Sequence, residues 1–223
     1  MPTILSHWNT FESRESAAAL AAVAAARLDG THKPRGVLAA WGHRAGADDA
    51  HGAAELDEDA WRRKMRARDG QRRISMWNAL PGYEISRQAA RDRAEARAWS
   101  STAAAAQAGV EVRSIDKLQW WSELSTYRFC ICPLGSAVQS NKMTEALLVL
   151  TIPIVRRSPQ PVHGDLLRLG FPLAVVDDWS DVTPERLGQW WRTLAPRLAS
   201  FRRNCLTTEG IWRMLTGQNH TCV

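Results

Sequence analysis

Lys142 and Glu145 stand three residues apart in the stretch Ser140-Asn141-Lys142-Met143-Thr144-Glu145. On a helix that spacing sets a cation beside a carboxylate. With Met143 at the centre of a buried side, Lys142, Glu145 and Val149 share one flank near the N-terminal half of the helix. The loop before them contains Gly135, which lets backbone approach a ligand closely, and Ser140 stands where an N-cap belongs. A helix N-terminus has free N–H groups and a partial positive charge. Together with a lysine one turn inside and a carboxylate beside it, these are the parts of a phosphate site with a neighbouring acceptor for hydroxyl groups. The same two residues also suit an ordinary solvated i,i+3 pair, which contributes only about 0.2–0.5 kcal/mol.

The elements that must position these side chains are legible around them. Tyr127 to Cys132 is a run of aromatic, β-branched and cysteine residues interrupted once, at Arg128, and it stops at Pro133-Leu134-Gly135. It reads as a buried strand ending in a turn. Met143, Ala146, Leu147 and Leu150 recur at helical spacing, and Thr151 to Val155 is again β-branched and apolar. The unit is strand, helix, strand, with a right-handed crossover joining parallel strands.

Phe129-Cys130-Ile131-Cys132-Pro133-Leu134-Gly135, Ser140-Asn141-Lys142, Glu145-Ala146-Leu147-Leu148 and Ile152-Pro153-Ile154-Val155 together resemble the exostosin-like glycosyltransferases of family 47. The family signature has an FCL-x-P-x-G strand and loop, an S-x-R-x-x-E helix start and a G-C-I-P-V-V strand, in this order and at about this spacing. The resemblance implies the C-terminal, donor-binding half of a GT-B fold, whose loop and helix hold the diphosphate and ribose of a nucleotide sugar. Two positions depart from it: Lys142 replaces arginine, keeping the charge but losing the bidentate fork, and Leu150-Thr151 replaces Gly-Cys.

The 223 residues suit one α/β domain, whereas a complete GT-B enzyme needs two. Hydrophobic residues make up 45%, enough for a sizeable core, and a net charge of +6 favours anionic partners without choosing among them. Cys130 and Cys132 share one face of one strand and cannot readily bridge each other, so no disulfide framework is visible among the four cysteines. No apolar run reaches the ~18 residues of a membrane span. The N-terminus is polar where a signal peptide would have its apolar core.

Along the chain, Ser16 to Leu28 reads as an alanine-rich helix closed by Gly30. Gly36 to Trp41 is a small strand whose exit, Gly42-His43-Arg44, resembles the phosphate-facing exit of the family's first donor-domain strand. Asp57 to Arg68 reads as a helix and Ile74 to Leu80 as a strand; Glu84 to Ala108 reads as one long helix stopped at Gly109. Val110 to Ile115 is strand-like, and in the short helix over Lys117 to Leu124 both Trp120 and Trp121 are expected to pack on the sheet. Further on, Leu173 to Val176 is a buried strand ending in Asp177-Asp178, carboxylates that suit either a ligand contact at the sheet edge or a turn and cap. Thr183-Pro184 starts a helix that Pro196 is expected to kink or divide, and Thr207 or Thr208 caps a last one.

The expected fold is therefore α/β, a Rossmann-like parallel sheet flanked by helices, forming a single GT-B-type nucleotide-sugar-binding domain over residues 33–204. A helical segment or remnant of an upstream domain precedes it at 1–32, and a C-terminal helix and tail follow at 205–223. By the resemblance, the function is transfer of a sugar from a nucleotide-sugar donor to a glycan or glycoconjugate hydroxyl, with no metal or other cofactor. The donor site comprises Gly42, Arg44, Gly135, Ser140, Lys142, Glu145, Asp177 and Asp178; no residue is assigned as catalytic. The resemblance also implies the Golgi or secretory pathway. The alternatives are a nucleotide-sugar-binding module that lacks the acceptor domain and does not catalyse, and a basic nucleic-acid-binding protein. No recognised motif supports the latter, so no nucleic-acid partner is expected.

Overall fold

The structure is a computed structural model describing residues 13–40, 82–134 and 140–218. The expected helix over Asp57 to Arg68 and strand over Ile74 to Leu80 lie outside the described residues. Five strands form one all-parallel sheet: β1 (Arg35–Ala40), β2 (Val110–Arg113), β3 (Tyr127–Ile131), β4 (Ile152–Arg156) and β5 (Ala174–Val176), in the order β2-β1-β3-β4-β5. Around it lie α1 (Ser13–Ala25), α2 (Gly82–Ser100), α3 (Ala103–Gln107), α4 (Lys117–Ser125), α5 (Asn141–Leu148), α6 (Val162–Arg168), α7 (Pro184–Cys205) and α8 (Thr208–Leu215). The fold is α/β and Rossmann-like. Parallel strands covered on both sides become apolar throughout, and Val37 to Ala39, Cys130, Ile131, Ile152 and Ile154 are completely buried.

Local chemistry explains several joints. Gly36 lies against Gly109, and a Cβ added to it would come within 2.8 Å of the Gly109 carbonyl oxygen, so β1 and β2 can meet there only without a side chain. Pro153 occupies an interior strand, where a missing N–H normally costs a ladder bond. Because Cys132 N–H donates to the Ile154 carbonyl at 2.8 Å, alternation turns Pro153 toward β5, whose pairing begins only opposite Ile154. No ladder bond is lost.

The long helix expected from Glu84 to Ala108 is in fact two. Thr102 adopts extended backbone and its hydroxyl accepts from Ala105 N–H, starting α3 afresh. In α7, conversely, Pro196 does not divide the helix, which continues to Cys205. Ala19, Ala22 and Ala26 of the first helical segment belong to the same core as the sheet. Cys130 and Cys132 are free buried thiols, whereas Cys205 is disulfide-bonded. That pairing corrects the sequence expectation, because connectivity is not encoded in cysteine spacing. Among the described residues no helix is long and apolar enough to cross a membrane.

Candidate functional site

Strand order reverses direction once, between β1 and β3, and in open α/β sheets ligands bind beyond the C-terminal strand ends at such a switch point. α5 begins there. Its expected apolar face is correct: Met143, Ala146, Leu147 and Leu150 are all buried. Ser140 has N-cap backbone, φ −84 and ψ 146, but its side chain caps nothing. The Ser140 Oγ atom is shielded from solvent and has no hydrogen-bond partner among the described residues. A hydroxyl withheld from its own helix and left at the start of that helix is a group suited to a ligand.

Lys142 reaches across the switch point. Its ammonium donates to the carbonyl of Ala40, the last residue of β1, and lies 5.9 Å from the centre of the Trp120 ring. Glu145, one turn further on, accepts a hydrogen bond from Trp120 Nε1–H at 2.8 Å. The two expected residues are thus joined to one indole. Burial pushes the Cys132 thiol well up. The Lys142 charge acts against that rise and the Glu145 charge adds to it, so thiol, ammonium and carboxylate share one neighbourhood.

The other end of α5 is held by cations. Lys33, completely buried, donates to the Val149 carbonyl and to Thr151 Oγ1, each at 2.8 Å. Arg202 Nη1 donates to the Leu148 carbonyl at 3.1 Å. Positive groups at a helix C-terminus complement its dipole and supply partners for its last carbonyls. Thr151 hydroxyl also lies 2.9 Å from the Tyr127 carbonyl, tying the helix end to the start of β3.

Two strands away, roughly 10 Å at the usual spacing, the structure places Asp177 and Asp178 in local roles. Asp178 Oδ1 accepts from Ser180 N–H at 2.9 Å and closes a capping box with Asp181, so the turn-and-cap reading describes it. Asp177 is exposed and pairs with Arg157 Nε at 2.5 Å. Neither is brought against Lys142. Gly42, Arg44 and Gly135 lie outside the described residues.

Three contributors escaped the sequence reading. Asp92 is buried on α2, where it accepts from Leu134 N–H at 2.8 Å and Trp179 Nε1–H at 3.1 Å, fixing the exit of β3. Burial raises its pKa; those two hydrogen bonds and Arg156 act in the opposite direction. Its signal was the spacing Ala89, Asp92, Ala96, an inward face within a charged helix. Lys33 and Trp120 carried no comparable signal, since their partners lie 118 and 25 residues away. Both tryptophans pack against the core as expected, Trp121 fully buried and Trp120 partly so, which leaves the Trp120 indole N–H free to reach Glu145.

Comparison with protein-family models and with curated proteins finds no match for the chain. Among the described residues no group of three or more histidine, cysteine or acidic side chains is arranged to hold a metal ion. What the arrangement offers is a cation, a helix N-terminus and a hydroxyl for an anionic group, with a carboxylate beside them for hydroxyl donors.

Proposed function

We propose that the chain binds a nucleotide sugar at the β1/β3 switch point and serves as an exostosin-like glycosyltransferase, transferring the sugar to a glycan or glycoconjugate hydroxyl. The observation that carries this reading is the reach of Lys142 to the C-terminal end of β1, with Glu145 on the same flank of the helix. In this reading Lys142, Ser140 and the N–H groups opening α5 stabilise charge developing on the diphosphate leaving group, acting as fixed donors rather than bond-making groups. Glu145 accepts from the ribose hydroxyls. Gly42, Arg44 and Gly135 complete the phosphate contacts by resemblance. The transfer needs no metal in the reading.

Donor binding without transfer is the second reading. It is favoured by Lys142, which stands where the resembled family has arginine and so lacks the bidentate fork for a diphosphate. A panel of nucleotide sugars in a thermal-shift assay tests the common part of both readings. A ligand at 100 times its dissociation constant stabilises by about 2.7 kcal/mol. Turnover of any binder, followed with simple glycan acceptors, separates transfer from binding alone. Tighter binding of duplex DNA or RNA than of every nucleotide sugar at moderate salt would defeat both, since phosphate-dominated nucleic-acid binding falls steeply with salt.

A further inference from the structure

Trp120 stands beside both charged groups of the candidate site. Its indole N–H donates to Glu145 Oε2 at 2.8 Å, and its ring lies 5.9 Å from the Lys142 ammonium. The indole is itself held in place. Asp116 caps α4 by accepting from Leu118 N–H at 2.8 Å, and the next residue, Trp121, is buried in the core. A glutamate on the flank of a short helix has three rotatable side-chain bonds and sweeps a wide arc unless something fixes it. Here a rigid donor from a different helix does so. Because an indole N–H is a donor only, it must be met by an acceptor, and the carboxylate is its acceptor.

We propose that Trp120 is a positioning residue that fixes the direction of the Glu145 carboxylate and thereby sets the site's preference for ligands carrying a vicinal diol. The ligand half of this proposal rests on the nucleotide-sugar reading of Lys142 and Glu145; the positioning half does not. A carboxylate held by one oxygen presents a fixed geometry to a 2′,3′-diol. Without the indole bond that oxygen is aimed less closely, more of its ordering falls to the moment of binding, and the diol's advantage shrinks. Inorganic pyrophosphate makes no use of the carboxylate and is indifferent to the change.

The experiment has two arms. In the first, ¹⁵N spectra resolve the indole N–H signals of the 11 tryptophans, and Trp120→Phe identifies one of them by its loss. Glu145→Gln should move that signal, because a charged acceptor has become a neutral one. A signal that stays in place overturns the positioning role whatever the ligand. In the second arm, uridine diphosphate, 2′-deoxyuridine diphosphate and pyrophosphate are titrated by calorimetry. Wild type should prefer the ribonucleotide, and Trp120→Phe should reduce that preference by about tenfold, the scale of one hydrogen bond to a charged group, with pyrophosphate unchanged.

An equal loss for all three ligands would show a merely structural tryptophan and overturn the proposal. If wild type binds none of them, the nucleotide reading fails, while the indole arm still decides whether Trp120 holds Glu145. Should Trp120→Phe not fold, Glu145→Gln alone suffices. It must move one indole signal and lower the ribonucleotide preference, and failure of either refutes the inference.

Discussion

Replacing Lys33 by methionine should change how the protein's stability responds to alkali. Lys33 is completely buried, its ammonium bonded to the Val149 carbonyl and Thr151 Oγ1, with no carboxylate among its hydrogen-bond partners in the described residues. Burial, and secondarily the charge of Arg202, lowers its pKa from 10.5 to about 7. Below about pH 7 folded and unfolded chains both carry the proton. Between there and 10.5 only the unfolded chain does, so stability rises with pH across that window and is lost again as pH falls toward 7. At 1.36 kcal/mol per pH unit, and with half the protons already lost at pH 7, the gain between pH 7 and 9 is about 2 kcal/mol. Other groups titrate as well, notably Cys132, whose raised thiol opposes the trend at the alkaline end. The comparison is therefore made between proteins: urea unfolding of wild type and Lys33→Met at pH 7, 8 and 9. Methionine fills similar space, leaves Thr151 bonded to the Tyr127 carbonyl, and removes the titration. Wild type should gain about 2 kcal/mol more than the variant between pH 7 and 9. Parallel curves would refute the reasoning, because they would mean that Lys33 keeps its proton inside the fold.

Lys142→Ala should weaken nucleoside-diphosphate-sugar binding by about 1.5–3 kcal/mol, the range for a charge-assisted hydrogen bond, with little change in the urea midpoint; unchanged calorimetric affinity would remove Lys142 from the site. Leu150 has φ 60, a left-handed conformation that favours glycine, yet its side chain is buried. Leu150→Gly and Leu150→Ala should both destabilise, since lost burial of about 2–5 kcal/mol exceeds relieved strain of about 1. Glycine should nonetheless be better than alanine by about 1 kcal/mol in denaturant melts, the reverse of the usual order. His163 is buried, and neither ring nitrogen has a hydrogen-bond partner among the described residues. Burial, with the nearby charge of Arg157, holds its pKa below the ordinary 6.5, so the unfolded chain takes up a proton first and stability falls as pH drops through 6.5. Thermal melts of His163→Phe should show a larger advantage over wild type at pH 5.5 than at pH 7.5, and an equal advantage at both would contradict this.

The strand-helix-strand unit was legible because each of its parts has a short period of its own. Tyr127 to Ile131, the face of Met143, Ala146 and Leu147, and Ile152 to Val155 each declare themselves within a few residues. So did Ser140 as the start of α5, though not its failure to cap. The division of α2 from α3 was missed because alanine-rich sequence resumes directly after Trp99-Ser100-Ser101-Thr102, and the cap at Thr102 overrides propensity in one hydroxyl contact. Pro196 does not divide α7: a proline on the exposed side removes one N–H without ending a helix held by burial of Ala195, Leu198 and Phe201. At the site, Lys142 and Glu145 were found by helical spacing. Trp120 and Lys33 act through partners that only the folded topology brings near, and no local pattern announces them; Asp92 stood on the inward face marked by Ala89 and Ala96, but its partners Leu134 and Trp179 are equally remote in sequence.

The position of β1 has a consequence for how the chain acquires its fold. β1 lies in the interior of the sheet, but both of its neighbours come much later in the chain: Val37 pairs with Val110 on one side and with Phe129 on the other. During synthesis at about 5–20 residues per second, a wait of roughly 90 residues lasts on the order of 5–18 seconds. Until Val110 is made the apolar run Val37-Leu38-Ala39-Ala40 has neither ladder partner, and from there until Phe129 is made it has β2 alone. The segment from Tyr127 to Arg156 is different, since β3, α5 and β4 close on one another over short loops. The β3-α5-β4 unit closes over short loops without β1, which joins the sheet only through long-range pairing. Rate is governed by that long-range closure rather than by helix formation. Until β1 is captured, the Ala40 carbonyl that meets Lys142 is not in place, so the candidate site is among the last features to be assembled.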